Sequence, residues 1–132
     1  LFIEVYKKCM KKILVLFLLF NISNAFASEF VTNFNKEAFL QAQDNGKTVV
    51  VYSWNKYCLT CNKQKPILRK AKSDFQDVVF FYIEHTKNKD IAKDLNISFW
   101  STIVVYKNNK EIIKAVGLTD KEEIYSLIKK GI

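Results

Sequence analysis

Cys58-Leu59-Thr60-Cys61 lies where an apolar strand pattern, Val49-Val50-Val51-Tyr52, gives way to a helix-like stretch from about Leu59 to Ser73. No other feature constrains the fold as much. A CxxC at a strand-to-helix junction puts two sulfurs within disulfide reach on the first turn of a helix. The unpaired backbone N–H groups and the dipole at that end favour a thiolate. The thiolate is the form that attacks disulfides, so the feature points to thiol–disulfide exchange.

The flanking charges agree with this chemistry. No Asp or Glu occurs between Asp44 and Asp74, while Lys56, Lys63 and Lys65 flank the pair and Lys47, Arg69, Lys70 and Lys72 stand further off. Nearby positive charge lowers a thiol pKa from its reference of about 8.5, and desolvation by Trp54, Tyr57 and Leu59 opposes it. The net shift is expected to be downward, and larger at Cys58 than at Cys61, which lies deeper in the turn.

The N-terminus predicts export. Lys7, Lys8, Lys11 and Lys12 form a basic region, Ile13 to Phe20 a short apolar core, and Ala25-Phe26-Ala27 a cleavage pattern. Residues 1–27 are therefore expected to be a leader and signal peptide, with Met10 as the start, and residues 28–132 a single domain beginning at Ser28. The expected location is the periplasm or another exported compartment. An apolar run this short falls below the roughly 20 residues of a membrane span, so an uncleaved membrane anchor is the alternative. Export leaves only Cys58 and Cys61. A bridge closing so small a loop constrains the unfolded chain little, so a purely stabilising staple is the weaker reading.

Charge adds less. Removing four lysines and one glutamate with the leader takes the formal charge from +8 to +5. The lysines are dispersed and no nucleic-acid-binding motif accompanies them, so a solvated basic surface is expected rather than a nucleic-acid partner.

The pattern alternates between strand and helix. Glu29 to Thr32 reads as a short strand. Asn35 caps a helix with Ala38, Phe39 and Ala42 on its apolar side, and Gly46 follows its end. Lys47 to Tyr52 and Val78 to Ile83 read as buried strands. Ile67, Leu68 and Ala71 face the core from the helix after the CxxC, which Pro66 should kink. Asp90 to Leu95 reads as a short helix. Thr102 to Tyr106 and Glu111 to Val116 form a hairpin around Lys107-Asn108-Asn109-Lys110. Thr119 or Asp120 caps a last helix carrying Ile124, Leu127 and Ile128. The expected class is α/β, a three-layer sandwich with a central mixed sheet flanked by helices.

With these elements in place, the chain resembles the thioredoxin fold family from Glu29 to Ile132. Trp54 stands four residues before Cys58, Tyr57 takes the aromatic place beside it, and Pro66 follows Cys61 by five. The loop before the hairpin maps to Asn96 through Thr102, the glycine after the last strand to Gly117, and the final helix to Thr119–Lys130. The resemblance implies that Cys58 is the exposed nucleophile and Cys61 the resolving thiol. It implies substrate contacts at Trp54, Tyr57, Trp100, Ser101 and Thr102. It further implies a monomer without metal or other cofactor, acting on protein thiols and disulfides and served by a redox partner protein.

Two positions depart from the family pattern. Where most members carry a cis-proline beside the disulfide, this chain has Ser101. A non-proline cis bond costs roughly 3–4 kcal/mol, so a trans bond or a rebuilt loop is expected. Proline introduced here is expected to alter substrate handling more than folding. Trp100 is then either a platform for a partner or plain core packing. Tyr52 occupies the place of a buried carboxylate and Tyr82 lies near the place of its lysine partner. A phenol is a poor base near neutrality.

Three functions compete: an exported oxidoreductase, with Leu59-Thr60 leaning toward a reductant; a non-catalytic thioredoxin-like binding or chaperone module; and a soft-metal carrier using the same two thiols. The carrier reading is the weakest. A zinc site normally takes four ligands, and the only other soft donor, His85, reads as a solvated loop residue.

Overall fold

A computed structural model describes residues 2–5, 7 and 33–132. The expected signal peptide, its cleavage point and the strand over Glu29 to Thr32 lie outside the described residues. The elements run α1 (Lys36–Asp44), β1 (Thr48–Trp54), α2 (Leu59–Asp74), β2 (Val78–Glu84), α3 (Lys89–Asp94), β3 (Thr102–Lys107), β4 (Lys110–Val116) and α4 (Lys121–Lys129).

The four strands form one sheet in the order β2-β1-β3-β4. β1 pairs parallel with β2 and antiparallel with β3, and β3 pairs antiparallel with β4, so the sheet is mixed as expected. Asn33 adds one parallel bridge to Tyr82 at the outer side of β2. β1 runs two residues beyond the expected Tyr52. Ser53 and Trp54 keep register with Ile83 and Glu84, which carries the strand to the edge of the CxxC turn.

Successive strand side chains point to opposite faces, and β1 is buried on both. Val50 and Tyr52 join Leu68 and Ala71 of α2 and Ile124, Leu127 and Ile128 of α4 in one core. Val49 and Val51 join Phe39 of α1 and Ala92 of α3 in the other. These are the three layers. The continuous apolar run Val49-Val50-Val51 needs this arrangement, because no one-sided sheet would bury all three.

Local chemistry sets the element ends. The Asn35 side chain accepts from the Ala38 N–H at 2.8 Å, and Asp120 accepts from Glu123 N–H at 3.0 Å. The hairpin turns on Asn108 and Asn109, with φ of 51° and 60°. Two left-handed residues match the twist of the paired strands, and asparagine tolerates that conformation. α2 continues past Pro66 to Asp74.

Candidate active site

β1 ends at Trp54, and the chain crosses three residues to reach Cys58. Asn55 fixes that crossing. It is buried, its Oδ1 accepts from the Tyr57 N–H at 2.9 Å, and its Nδ2 donates to Glu84 Oε1 at 2.9 Å and Thr86 Oγ1 at 3.0 Å. The turn before the cysteines is thereby bolted to the end of β2. Burial alone would raise the Glu84 pKa. Hydrogen bonds from Thr86, the Lys87 N–H and Asn55, with the Lys87 charge, outweigh it and hold the carboxyl below its usual value. A depressed carboxylate pKa adds stability above the unfolded value of about 4.3 and loses it as pH falls through the folded one. Asn55→Ala should cost about 1–2 kcal/mol at neutral pH, since it removes one acceptor from the Tyr57 N–H and two donor contacts at the end of β2, all only partly buried. The deficit should narrow as pH falls from the ordinary carboxylate range through the depressed Glu84 pKa, where the wild type loses the charged partner of Asn55. Urea unfolding of both proteins across that range measures it.

Cys58 is the N-cap of α2. Its sulfur accepts a hydrogen bond from the Cys61 N–H at 3.0 Å, taking the place of a serine or aspartate side chain at a helix start. Cys58 and Cys61 are joined in a disulfide with Cα atoms 5.2 Å apart. Cys58 is 7 % exposed and Cys61 0 %, so an incoming group reaches only the first sulfur. Lys56 and Lys65 lie over aromatic rings, with Lys56 Nζ 4.8 Å from the Tyr57 centroid and Lys65 Nζ 4.2 Å from that of Trp54. Cation–π contacts of this kind keep two ammonium groups beside the CxxC turn.

A shallow groove of about 650 Å³ opens at Cys58. It is lined by Tyr57, Leu59 and Thr60 on one side and by Ser98, Phe99, Trp100, Ser101 and Val116 on the other. Tyr57, Leu59, Phe99 and Val116 are exposed, and Trp100 is 40 % exposed. Trp100 therefore belongs to the rim, and plain core packing does not describe it. Phe99 and Val116 complete the apolar border and were not singled out in the sequence. The signal for Phe99 was the apolar pair Phe99-Trp100 in a loop where neither strand nor helix periodicity calls for it; Val116, at the end of β4, gave none.

The other expected contact residues are placed differently. Trp54 is half-buried against the core that includes both cysteines, with Lys65 over its ring. Thr102 is buried, and its hydroxyl donates to the Phe99 carbonyl at 2.7 Å, closing the turn behind the rim. His85 is no solvated loop residue. It is half-buried, with Nδ1 2.9 Å from the hydroxyl of the buried Ser53.

No peptide bond among the described residues is cis, and Ser101 has a left-handed φ of 53°. The loop is rebuilt around a trans bond. Its carbonyl accepts from the Gly117 N–H at 3.0 Å and from Gln64 Nε2 at 3.1 Å. Gly117 itself has φ of 78°, which suits glycine.

Beneath the disulfide, the Tyr52 hydroxyl donates to the Cys61 carbonyl at 3.4 Å, and the Tyr52 and Tyr82 rings meet edge to face at 6.0 Å. Burial, chiefly, pushes both phenols well above their ordinary pKa. Tyr52 is thus a fixed proton donor to backbone rather than a base for Cys61. Among the described residues no group of three or more His, Cys, Asp or Glu side chains converges as a metal site.

Comparison with known proteins agrees with this architecture. The family model "Thioredoxin" matches residues 30–130. The chain is 35 % identical to a thioredoxin of Mycoplasma genitalium over 81 residues, covering 61 % of this chain and 79 % of that protein. It is 25 % identical to an H-type thioredoxin of Fagopyrum esculentum over 91 residues, 69 % of this chain and 78 % of that one. The crystal structure of Trxlp from Edwardsiella tarda superposes with a TM-score of 0.70 at 23 % identity, over 73 % of this chain and 95 % of Trxlp. Oxidised mitochondrial thioredoxin 3 of Saccharomyces cerevisiae gives 0.66 at 24 %, over 75 % and 93 %. At such identities the structural likeness speaks for the fold alone, while the family match spans most of the sequence. The chain belongs to the thioredoxin family of disulfide oxidoreductases, with Cys58 and Cys61 as its bonded CxxC pair.

Proposed function

We propose that this protein is an exported thiol–disulfide oxidoreductase that exchanges disulfides with protein partners, with reduction of substrate as its working direction. The observation that carries the reading is Cys58 itself: a helix N-cap sulfur held by a backbone N–H at the floor of an apolar-rimmed groove. In the reduced protein that N–H and the helix dipole stabilise the Cys58 thiolate. The thiolate attacks one sulfur of a substrate disulfide. A mixed disulfide forms, and the second substrate sulfur leaves as thiolate and takes up a proton. Cys61, deprotonated by water or by the leaving thiolate, attacks the Cys58 sulfur. The substrate leaves as a dithiol, and Cys58–Cys61 carries the two-electron oxidation. A redox partner protein then supplies two electrons to reopen the bridge.

The basic leader and the Ala25-Phe26-Ala27 triplet support a periplasmic or otherwise exported location. No helix among the described residues is long and apolar enough to cross a membrane. Reduction as the direction rests on the Leu59-Thr60 pair, apolar plus threonine, which is nearer in character to periplasmic reducing domains.

Equilibration of Cys58–Cys61 with a glutathione buffer, together with turnover of a disulfide-bonded protein, tests the reading. A potential near that of thioredoxin, about −270 mV, supports a reductant, and one above about −180 mV overturns that direction. Absence of turnover with both glutathione and dithiothreitol as reductant leaves the non-catalytic binding module as the better account. A stoichiometric metal in the reduced protein would favour the carrier. Intact-mass analysis after export should find Ser28 at the N-terminus, and a retained Met10 on membrane-bound protein would favour the anchor.

A further inference from the structure

Gln64 is an amide on an otherwise apolar helix face. It follows Cys61 by three residues and precedes Leu68 by four, which places it on the buried side of α2, and it is 0 % exposed. Its Nε2 donates twice, to the Ser101 carbonyl at 3.1 Å and to the Leu118 carbonyl at 2.9 Å. Flipping the amide would set its oxygen against both carbonyl oxygens, so the orientation is fixed by its neighbours. Its Oε1 has no hydrogen-bond partner among the described residues. An apolar side chain would pack here without that penalty, so the two carbonyls are what call for glutamine.

Both carbonyls belong to segments that shape the groove. Ser101 lines it and follows Trp100, while Leu118 follows Gly117, whose N–H donates to the same Ser101 oxygen. One side chain, on the helix that carries the disulfide, therefore ties down the rebuilt loop and the turn after β4 together. We propose that Gln64 is the positioning residue that holds the Trp100–Ser101 loop beside Cys58 and so sets affinity for protein substrates; the kinetic part of this proposal rests on the oxidoreductase reading above.

The test compares wild type with Gln64→Met and Gln64→Glu on two substrates, insulin and hydroxyethyl disulfide. A protein disulfide such as that of insulin must dock against the groove rim to reach Cys58, whereas the small hydroxyethyl disulfide needs little beyond access to that sulfur. Gln64→Met keeps the volume and removes both donors. Its KM for insulin should rise about tenfold with kcat little altered, while the rate with hydroxyethyl disulfide falls by less than about threefold. Gln64→Glu adds a pH readout. The protonated acid can donate to one carbonyl, whereas the carboxylate repels both, and burial should raise its pKa above about 4.3. The ratio of insulin to hydroxyethyl disulfide rates cancels the titration of Cys58. In Gln64→Glu that ratio should climb as pH falls through the new carboxyl's pKa, and in wild type it should stay flat. Amide exchange at Gly117 reads the same anchor without turnover and should quicken about tenfold in Gln64→Met. A wild type that turns over neither substrate sinks the oxidoreductase reading, and the Gly117 exchange then decides the anchoring alone. Equal losses on both substrates, a flat ratio in Gln64→Glu, unchanged Gly117 exchange, or failure of both variants to fold would each make Gln64 a packing residue and overturn the proposal.

Discussion

Cys61→Ser is expected to stop turnover and leave Cys58 covalently joined to its substrate, while Cys58→Ser stops turnover and captures nothing. The asymmetry follows from exposure and from capping. Cys58 reaches the groove and holds the N-cap bond from the Cys61 N–H; Cys61 is sealed beneath it. Without Cys58 no accessible thiolate remains, and exchange should fall more than about a thousandfold, toward the uncatalysed rate. Without Cys61 the first attack still occurs, because its backbone N–H persists in the serine variant and continues to stabilise the thiolate. The mixed disulfide then has no internal thiol to resolve it. Non-reducing electrophoresis and mass analysis after incubation with an oxidised protein check both arms. Capture by Cys58→Ser but not by Cys61→Ser would reverse the assigned roles.

The placement of Cys58 at the helix start and Cys61 deeper in its first turn was legible in the sequence from local geometry, while their two roles were implied by the thioredoxin resemblance. A CxxC between a strand and a helix leaves little freedom in which sulfur faces out. The three layers were legible for a similar reason: Val49-Val50-Val51 is apolar on both strand faces, and Asn108-Asn109 dictates a tight hairpin. The residues missed are those whose partners are remote in the chain. Gln64 sits among Asn62, Lys63, Lys65 and Lys70 and was not singled out in the sequence. Its partners lie 37 and 54 residues away. Its spacing from Cys61 and Leu68 did mark the buried face, and that periodicity was the available signal. Asn55 gave less, since a lone asparagine before a cysteine pair resembles any turn residue until β2 is placed beside it. Thr102 and His85 show the opposite failure. Sequence position put one at the groove and the other in solvent, whereas packing turned Thr102 inward onto Phe99 and paired His85 with Ser53.

Ser101→Pro is where the structure reverses a sequence expectation. From sequence, proline here should recreate the family's loop and change substrate handling more than folding. Ser101, however, adopts φ of 53°, and proline is confined to about −65°. The loop cannot accept the ring without moving, and movement breaks the carbonyl contacts to Gln64 and Gly117. Ser101→Pro should cost about 2–4 kcal/mol and lower Tm by on the order of 10–20 °C. Ser101→Gly should act with the opposite sign. A non-glycine residue in the left-handed region carries roughly 1–2 kcal/mol of strain, and glycine relieves it at the cost of extra freedom in the unfolded chain, for a net gain of up to about 1 kcal/mol. Thermal unfolding of the three proteins, measured with the disulfide intact, separates the possibilities. Opposite signs for glycine and proline support a loop held in its left-handed trans form by Gln64 and Gly117. An unshifted Tm in Ser101→Pro, together with faster exchange on protein disulfides, would instead mean that the loop re-forms around the proline at little cost, and that the serine loop restricts which partners Cys58 can reach.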